Sequence, residues 1–261
     1  MSADPLAAFR LDGKVALVTG ANGGIGRAIA LAYRAAGAEV VVTGRDPAKN
    51  TDLAAELDGA EVHALDVRDE TAVAALIGQI GARHGRLDVL VNNAGIGGAF
   101  PLLEMSADDW HAIVDTSLTG SFLCAKHAAR VMLDAGQGGS IINLGSMYSV
   151  FGAPRSAAYG SAKTGILGLT RALAVELGPH GIRANAILPG WIETAMTRDV
   201  LDGEIGREVR RKTPATRVGQ PSDLVGAALF LASDASRFVT GASLPVDGGY
   251  HVAERPRAVA V

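Results

Sequence analysis

Tyr159 and Lys163 stand four residues apart in Tyr159-Gly160-Ser161-Ala162-Lys163, and Ser146 precedes the tyrosine by 13 residues. On a helix, a spacing of four puts both side chains on one face, about a turn apart. A tyrosine hydroxyl ordinarily ionises near pH 10, too high for a base at neutrality. A neighbouring ammonium favours the phenolate and pulls that value down. The pair could then give a proton to an oxygen or take one from it, and the Ser146 hydroxyl could hydrogen-bond the same oxygen. No other tyrosine in the chain is followed by a lysine at this distance.

A second group of residues carries a different chemistry. The β-branched run Val15–Thr19 leads straight into Gly20-Ala21-Asn22-Gly23-Gly24-Ile25-Gly26, and a helical pattern begins at once. Glycines there let the backbone approach a pyrophosphate, whose charge meets the free N–H groups at the helix start. They belong to an excess of 33 glycines in 261 residues.

These groups must be positioned by alternating elements. Nearly continuous apolar runs at 15–19, 39–43, 61–65, 89–92, 140–144, 183–188 and 243–246 read as strands buried on both faces. Helical stretches are expected at 26–36, 70–84, 107–135, 157–177 and 221–232. The alternation predicts a single doubly wound α/β domain, its seven-stranded parallel sheet flanked by helices on both faces. We place that domain at residues 11–251, after an N-terminal extension at 1–10 and before a C-terminal tail at 252–261. The segment at about 189–219 is longer than a usual βα connection and reads as a substrate loop.

Composition excludes several classes. With 24 Lys+Arg against 27 Asp+Glu, the net charge of −3 provides no broad basic surface for nucleic acid. Hydrophobic content of 48% with 20% charged residues excludes a disordered chain. A lone cysteine, Cys124, permits no internal disulfide and no cysteine-based metal cluster, and the six histidines lack ligand spacing, so no metal is expected. The N-terminus lacks the apolar run of a signal peptide, and no apolar stretch approaches a membrane span of about 20 residues. A soluble cytoplasmic protein without membrane partners is expected.

The order Thr19-Gly20-x-x-x-Gly24-Ile25-Gly26, Asn92-Asn93-Ala94-Gly95, Ser146, Tyr159, Lys163 and Pro189-Gly190 resembles the short-chain dehydrogenase/reductase family over about Leu11 to Tyr250. The resemblance implies a Rossmann fold and hydride transfer between NAD(P) and a secondary alcohol or ketone. It casts Ser146, Tyr159 and Lys163 as the catalytic group, with Lys163 also bonding the nicotinamide ribose. Gly20, Asn22, Gly23, Gly24, Ile25 and Gly26 would hold the pyrophosphate. Asp66 and Val67 would hold the adenine, Asn93, Ala94 and Gly95 would line the middle of the cofactor, and Pro189, Gly190, Ile192 and Thr194 would lie at the nicotinamide. An acidic residue at the end of the second strand would favour a ribose hydroxyl; here Gly44-Arg45 offers a guanidinium to a 2′-phosphate. NADP(H) is therefore the preferred cofactor. NAD(H) stays open, because Asp46 is adjacent and the glycine loop lacks a further basic residue.

The sequence departs from the family at Ser117, in Asp115-Thr116-Ser117-Leu118-Thr119-Gly120, where relatives often carry asparagine. Their backbone carbonyl holds a water that links the lysine to solvent, and their side chain supports a helix distortion. Either the relay is rearranged here or native activity is low.

Candidate substrate-pocket residues are Ile96, Gly97, Met147, Tyr148, Phe151, Trp191 and Met196, with core packing as the competing role for the aromatics and methionines. They suit a small to medium ketone or alcohol, and 146–152 and 189–194 resemble gluconate or sugar dehydrogenases. Polyols, sugars and sugar acids are thus included. A 3-oxoacyl thioester reductase is the rival enzyme; such members commonly carry arginines where Gln137 and His180 stand. A sensor or scaffold binding the dinucleotide without chemistry is disfavoured, since Ser146, Tyr159 and Lys163 are all present. Family members usually form tetramers through the helices corresponding to 107–135 and 157–177, so a homotetramer is expected, with burial inside one subunit as the alternative.

Overall fold

The apolar runs form the strands β1 (Val15–Val18), β2 (Glu39–Gly44), β3 (Glu61–Ala64), β4 (Val89–Asn92), β5 (Gly139–Leu144), β6 (Ile182–Pro189) and β7 (Ser243–Val246). In the computed structural model, which describes residues 5–57 and 60–254, they make one sheet in the order β3-β2-β1-β4-β5-β6-β7. Every pairing is parallel. Because β2 and β4 flank β1 on opposite sides, the winding reverses between β1 and β4. A crevice opens at the carboxyl ends of those two strands.

The helices are α1 (Gly24–Ala35), α2 (Pro47–Glu56), α3 (Glu70–His84), α4 (Ala107–Val114), α5 (Gly120–Ala135), α6 (Ala157–Leu177), α7 (Arg198–Leu201), α8 (Glu204–Lys212) and α9 (Val225–Ala232). Alternating strand side chains feed two cores. Ala16 and Val18 pack with Ile29, Tyr33 and Ala228 of α1 and α9; Val15 and Leu17 pack with Val73, Ile77, Leu123 and Cys124 of α3 and α5. The seven-strand sheet with helices on both faces agrees with the sequence pattern.

Four element boundaries differ from expectation. Helix α2 was not foreseen, since it buries only Asn50 and Leu53; its signals are Asp46 as N-cap and Pro47 in the first turn. The expected helix at 107–135 is divided by a π-helical turn, Asp115–Thr119. The loop at 189–219 contains α7 and α8, whose charged sequence buries little beyond Leu201, Gly206 and Val209. The helix expected at 221–232 begins as a 3-10 turn, Pro221–Leu224. Residues 5–9 form a short 3-10 turn, whereas most of the expected tail, 255–261, lies outside the described residues. Among those described, no helix is long and apolar enough to cross a membrane.

Buried polar side chains fix the layers in register. Asn92 Nδ2 donates to the Ser121 carbonyl at 3.1 Å and to Asn143 Oδ1 at 2.9 Å. Asn143 in turn donates to Thr170 Oγ1 on α6 at 2.9 Å. On the other face, the fully buried Tyr33 hydroxyl donates to the Ala228 carbonyl at 2.9 Å. Replacing Tyr33 by Phe removes that donor from a water-free site and is expected to cost about 1–3 kcal/mol of unfolding free energy. Urea unfolding read by circular dichroism checks it; an unchanged midpoint would show that α1 and α9 are held by apolar packing alone.

Candidate active site

The crevice is closed by glycines. Gly20 has φ +63°, and a Cβ there would come within 2.8 Å of the Ala94 Cα, so the ends of β1 and β4 can meet only around a glycine. Asn93 then stitches them together: its Nδ2 donates to the carbonyls of Thr19 and Gly20, each at 2.9 Å. A Cβ on Gly26 would collide with that amide and with the Gly20 carbonyl. Gly26 therefore packs behind the loop and does not line the cleft. No side chain caps α1 at Gly23, which leaves its first N–H groups facing the opening. A glycine cradle below an uncapped helix start fits a dinucleotide pyrophosphate.

From this cradle a cleft of about 480 Å³ runs past Arg45, Lys49, Asp66, Val67 and Asn93–Ile96 to Ser146, Tyr159, Lys163 and the stretch Pro189–Met196. Gly20, Asn22, Gly23, Gly24, Ile25, Ala94, Gly95, Gly190, Ile192 and Thr194 all line it, as the sequence led us to expect. At the adenosine end, Arg45 is exposed, while Asp46 is occupied as the cap of α2, accepting from the N–H groups of Ala48 at 3.0 Å and Lys49 at 3.3 Å. Lys49 adds a cation, 3.8 Å from the Asp46 carboxylate, that the sequence reading missed; its signal was the i, i+4 spacing from Arg45. Asp66 is paired with Arg68 at 2.6 Å. That hydrogen bond chiefly, with a smaller pull from Arg45, holds its carboxyl below the usual range.

Ser146 follows β5 and caps a 3-10 turn, its Oγ accepting from the Tyr148 N–H at 3.2 Å. Lys163 Nζ donates to the Leu144 carbonyl at 2.7 Å and lies 5.8 Å from the Tyr159 ring centre. Leu144 and Gly145 line the cleft through their backbone, a contribution that residue type does not advertise. Burial raises the Tyr159 hydroxyl above its ordinary value, and the Ser146 hydroxyl beside it acts in the opposite direction. Burial also pushes Lys163 down to about 8. The expected depression of Tyr159 by Lys163 is therefore not seen in this state. The ammonium is directed at Leu144 and is itself desolvated.

The π turn is present although asparagine is not. Ser117 Oγ is buried and makes no hydrogen bond among the described residues, and Ser117 does not line the cleft. A Cβ on Gly95 would lie 3.3 Å from Ser117 Oγ and 3.6 Å from Lys163 Nζ, so both atoms approach one point behind the cofactor wall. The Ser117 carbonyl already accepts from Ser121 Oγ at 2.8 Å.

Of the expected substrate residues, Ile96 and Met196 line the cleft, and Gly97 lies beneath the Met196 sulfur. Tyr148 and Phe151 instead line an adjoining groove of about 660 Å³. Met147 is 4% exposed and lines neither. Trp191 packs on Leu201, Val209 and Val218, supporting α7 and α8 rather than facing the cleft. The aromatics nonetheless touch the site: the Tyr148 ring stands edge-on to Tyr159 at 6.0 Å and to Trp191 at 6.3 Å.

A family model described as enoyl-(acyl carrier protein) reductase matches residues 20–251. The chain belongs to the short-chain dehydrogenase/reductase family. It is 40% identical to a D-threitol dehydrogenase of Mycolicibacterium smegmatis, over 94% of this chain and 95% of that one. It is 41% identical to a 3-oxoacyl-[acyl-carrier-protein] reductase of Synechocystis, over 92% and 97%. Among solved structures, a gluconate 5-dehydrogenase from Burkholderia cenocepacia in complex with NADP and tartrate superposes with a TM-score of 0.91 at 39% identity, covering 96% of this chain and 100% of that one. As a short-chain dehydrogenase/reductase, the protein is an NAD(P)-dependent oxidoreductase acting on CH–OH groups.

When bound, the dinucleotide supplies the redox chemistry, exchanging a hydride with the substrate carbon. Protons are left to the chain. Burial favours the neutral form of both groups, bringing Lys163 down to about 8 and raising the Tyr159 hydroxyl. In alcohol oxidation a base at Tyr159 must be deprotonated, so kcat/KM is expected to rise with pH, with ketone reduction showing the opposite dependence. Steady-state rates across pH check this, and an oxidation rate independent of pH would contradict it.

Proposed function

We propose that the protein interconverts secondary alcohols and ketones with NADP(H) as its preferred cofactor, and that polyols, sugars and sugar acids are its substrate class. The observation that carries the reading is the convergence of Ser146, Tyr159 and Lys163 at the far end of a cleft that begins at an uncapped helix. In this reading Ser146 holds the substrate oxygen, and Tyr159 gives that oxygen its proton during reduction or removes it during oxidation. Lys163 stabilises the phenolate and bonds the nicotinamide ribose. Ser117 Oγ, without a partner among the described residues and on the same side of Gly95 as Lys163, extends the relay by a hydroxyl where relatives use a carbonyl-bound water.

The preference for NADP(H) is supported by Arg45 and Lys49 at the adenosine end and by the engagement of Asp46 as a helix cap. NAD(H) remains a usable second cofactor. The substrate class is supported by the relatives named for threitol and gluconate. A 3-oxoacyl thioester reductase is the second reading, favoured by the relative of that name. We further propose a cytoplasmic homotetramer, supported by the exposed Phe122 and Leu133 of α5 and Val175 of α6. Light scattering reads the assembly.

The deciding assay follows reduced nicotinamide absorbance over polyols, sugar acids, simple ketones and acetoacetyl-CoA with both cofactors. Turnover of polyols or sugar acids with a higher kcat/KM for NADP(H) is expected. The double variant Arg45→Ala/Lys49→Ala should lose about 10–100-fold of the NADP(H) preference, the scale of losing charge-assisted hydrogen bonds. Wild-type preference for NAD(H), or dominant activity on the thioester, would overturn the assignment.

A further inference from the structure

Lys212 ends α8, and its ammonium rests on ring faces, 4.0 Å from the centre of Tyr250 and 5.2 Å from that of Phe151. The two rings are 6.0 Å apart. Three segments meet at this cation: the turn after Ser146, the substrate segment, and the chain after β7. Lys212 is half-buried and forms no ion pair among the described residues. Three carboxylates of the surrounding segments are committed elsewhere. Asp247 accepts from the N–H groups of Gly249 and His251 and from His251 Nδ1. Glu208 pairs with Arg211, and Asp223 with Arg217.

The rings beneath Lys212 continue toward the reacting oxygen. Phe151 meets Tyr148 edge-on at 5.6 Å, and Tyr148 meets Tyr159 in the same manner at 6.0 Å. A chain of ring contacts therefore links Tyr159 to an ammonium that has no carboxylate partner among the described residues. Trp191 joins that chain through Tyr148, and its Nε1 is buried without an acceptor among the described residues. A buried donor with no partner calls for an explanation. Ring faces hold a cation while leaving some of its N–H groups free, so the ammonium can accept an anion without releasing the rings.

We propose that Lys212 determines substrate specificity by binding the carboxylate of a polyhydroxy acid whose alcohol carbon is presented to Tyr159. This rests on the reading of the site as a dehydrogenase of hydroxylated substrates. A competing role, in which Lys212 only clasps α8 to Phe151 and Tyr250, would affect charged and neutral substrates alike.

The test compares D-gluconate with D-glucitol, equal in carbon number and different in charge, on the full-length protein with NADP⁺. Wild type, Lys212→Met and Lys212→Arg are assayed for turnover, and gluconate binding is measured directly by calorimetry. Methionine keeps an apolar stem on the rings, and a guanidinium restores a cation that stacks on them. The ratio of kcat/KM for gluconate to that for glucitol should fall at least about tenfold in Lys212→Met and recover to within about threefold of wild type in Lys212→Arg, with the loss in KM rather than kcat. In the wild type, added salt should weaken gluconate more than glucitol. An unchanged ratio in Lys212→Met overturns the proposal, as does a wild-type ratio insensitive to salt should that variant not fold. Gluconate binding that depends on Lys212 without turnover supports the anchor and counts against the dehydrogenase reading. Turnover of either compound with a ratio indifferent to Lys212 does the reverse.

Discussion

The ammonium of Lys163 lies inside the protein, 2.7 Å from the Leu144 carbonyl, and the active site is arranged around keeping it there. A buried cation without an acceptor would be expelled or neutralised. The last carbonyl of β5 meets that need, so the end of this strand fixes the lysine head. The chain then turns through Gly145, where a Cβ would meet the Leu188 side chain at 2.5 Å, and places Ser146 at the same cleft. Helix α6 is held to the strand from its other side by Ser149 Oγ, which donates to the Lys163 carbonyl at 2.6 Å, and by the bond from Asn143 to Thr170. Tyr159, one turn before the lysine, inherits its position from all of these.

The second constraint is the reversal of winding between the paired strands β1 and β4. It creates an opening, and the glycines of the first turn with the Asn93 amide keep the opening narrow enough to hold an extended dinucleotide. The glycine turn thus lies at the ends of β1 and β4, and Ser146 follows the end of β5, against which α6 holds Tyr159 and Lys163. Rigid elements carry these side chains, while the more polar α7 and α8 pack on Trp191 beyond the end of β6. Substrate choice can change there without disturbing the sheet.

Much of this was legible in the sequence because burial writes itself into residue type. Strands buried on both faces read as apolar runs, and the Tyr159/Lys163 spacing and the Gly20–Gly26 cluster are local signals. What escaped was carried by backbone or by weak faces. Helix α2 hides because Asn50 and Leu53 are its only buried residues. The π turn at Asp115–Thr119 depends on how Ser117 and Thr116 are enclosed, which spacing does not reveal. The Leu144 carbonyl could have belonged to any residue. Trp191 and Met147 sit beside motif residues in the chain yet turn into packing, the first in a bend after β6 and the second in a 3-10 turn after β5.

The central claim is that the buried Lys163 ammonium helps Tyr159 to give up its proton. Ultraviolet difference titration of the NADP⁺ complex, wild type minus Tyr159→Phe, reads the phenolate of that one residue. A phenolate signal that emerges at lower pH in the wild-type complex than in that of Lys163→Met is the predicted result. A Tyr159 whose ionisation is unaffected by loss of the lysine would contradict it.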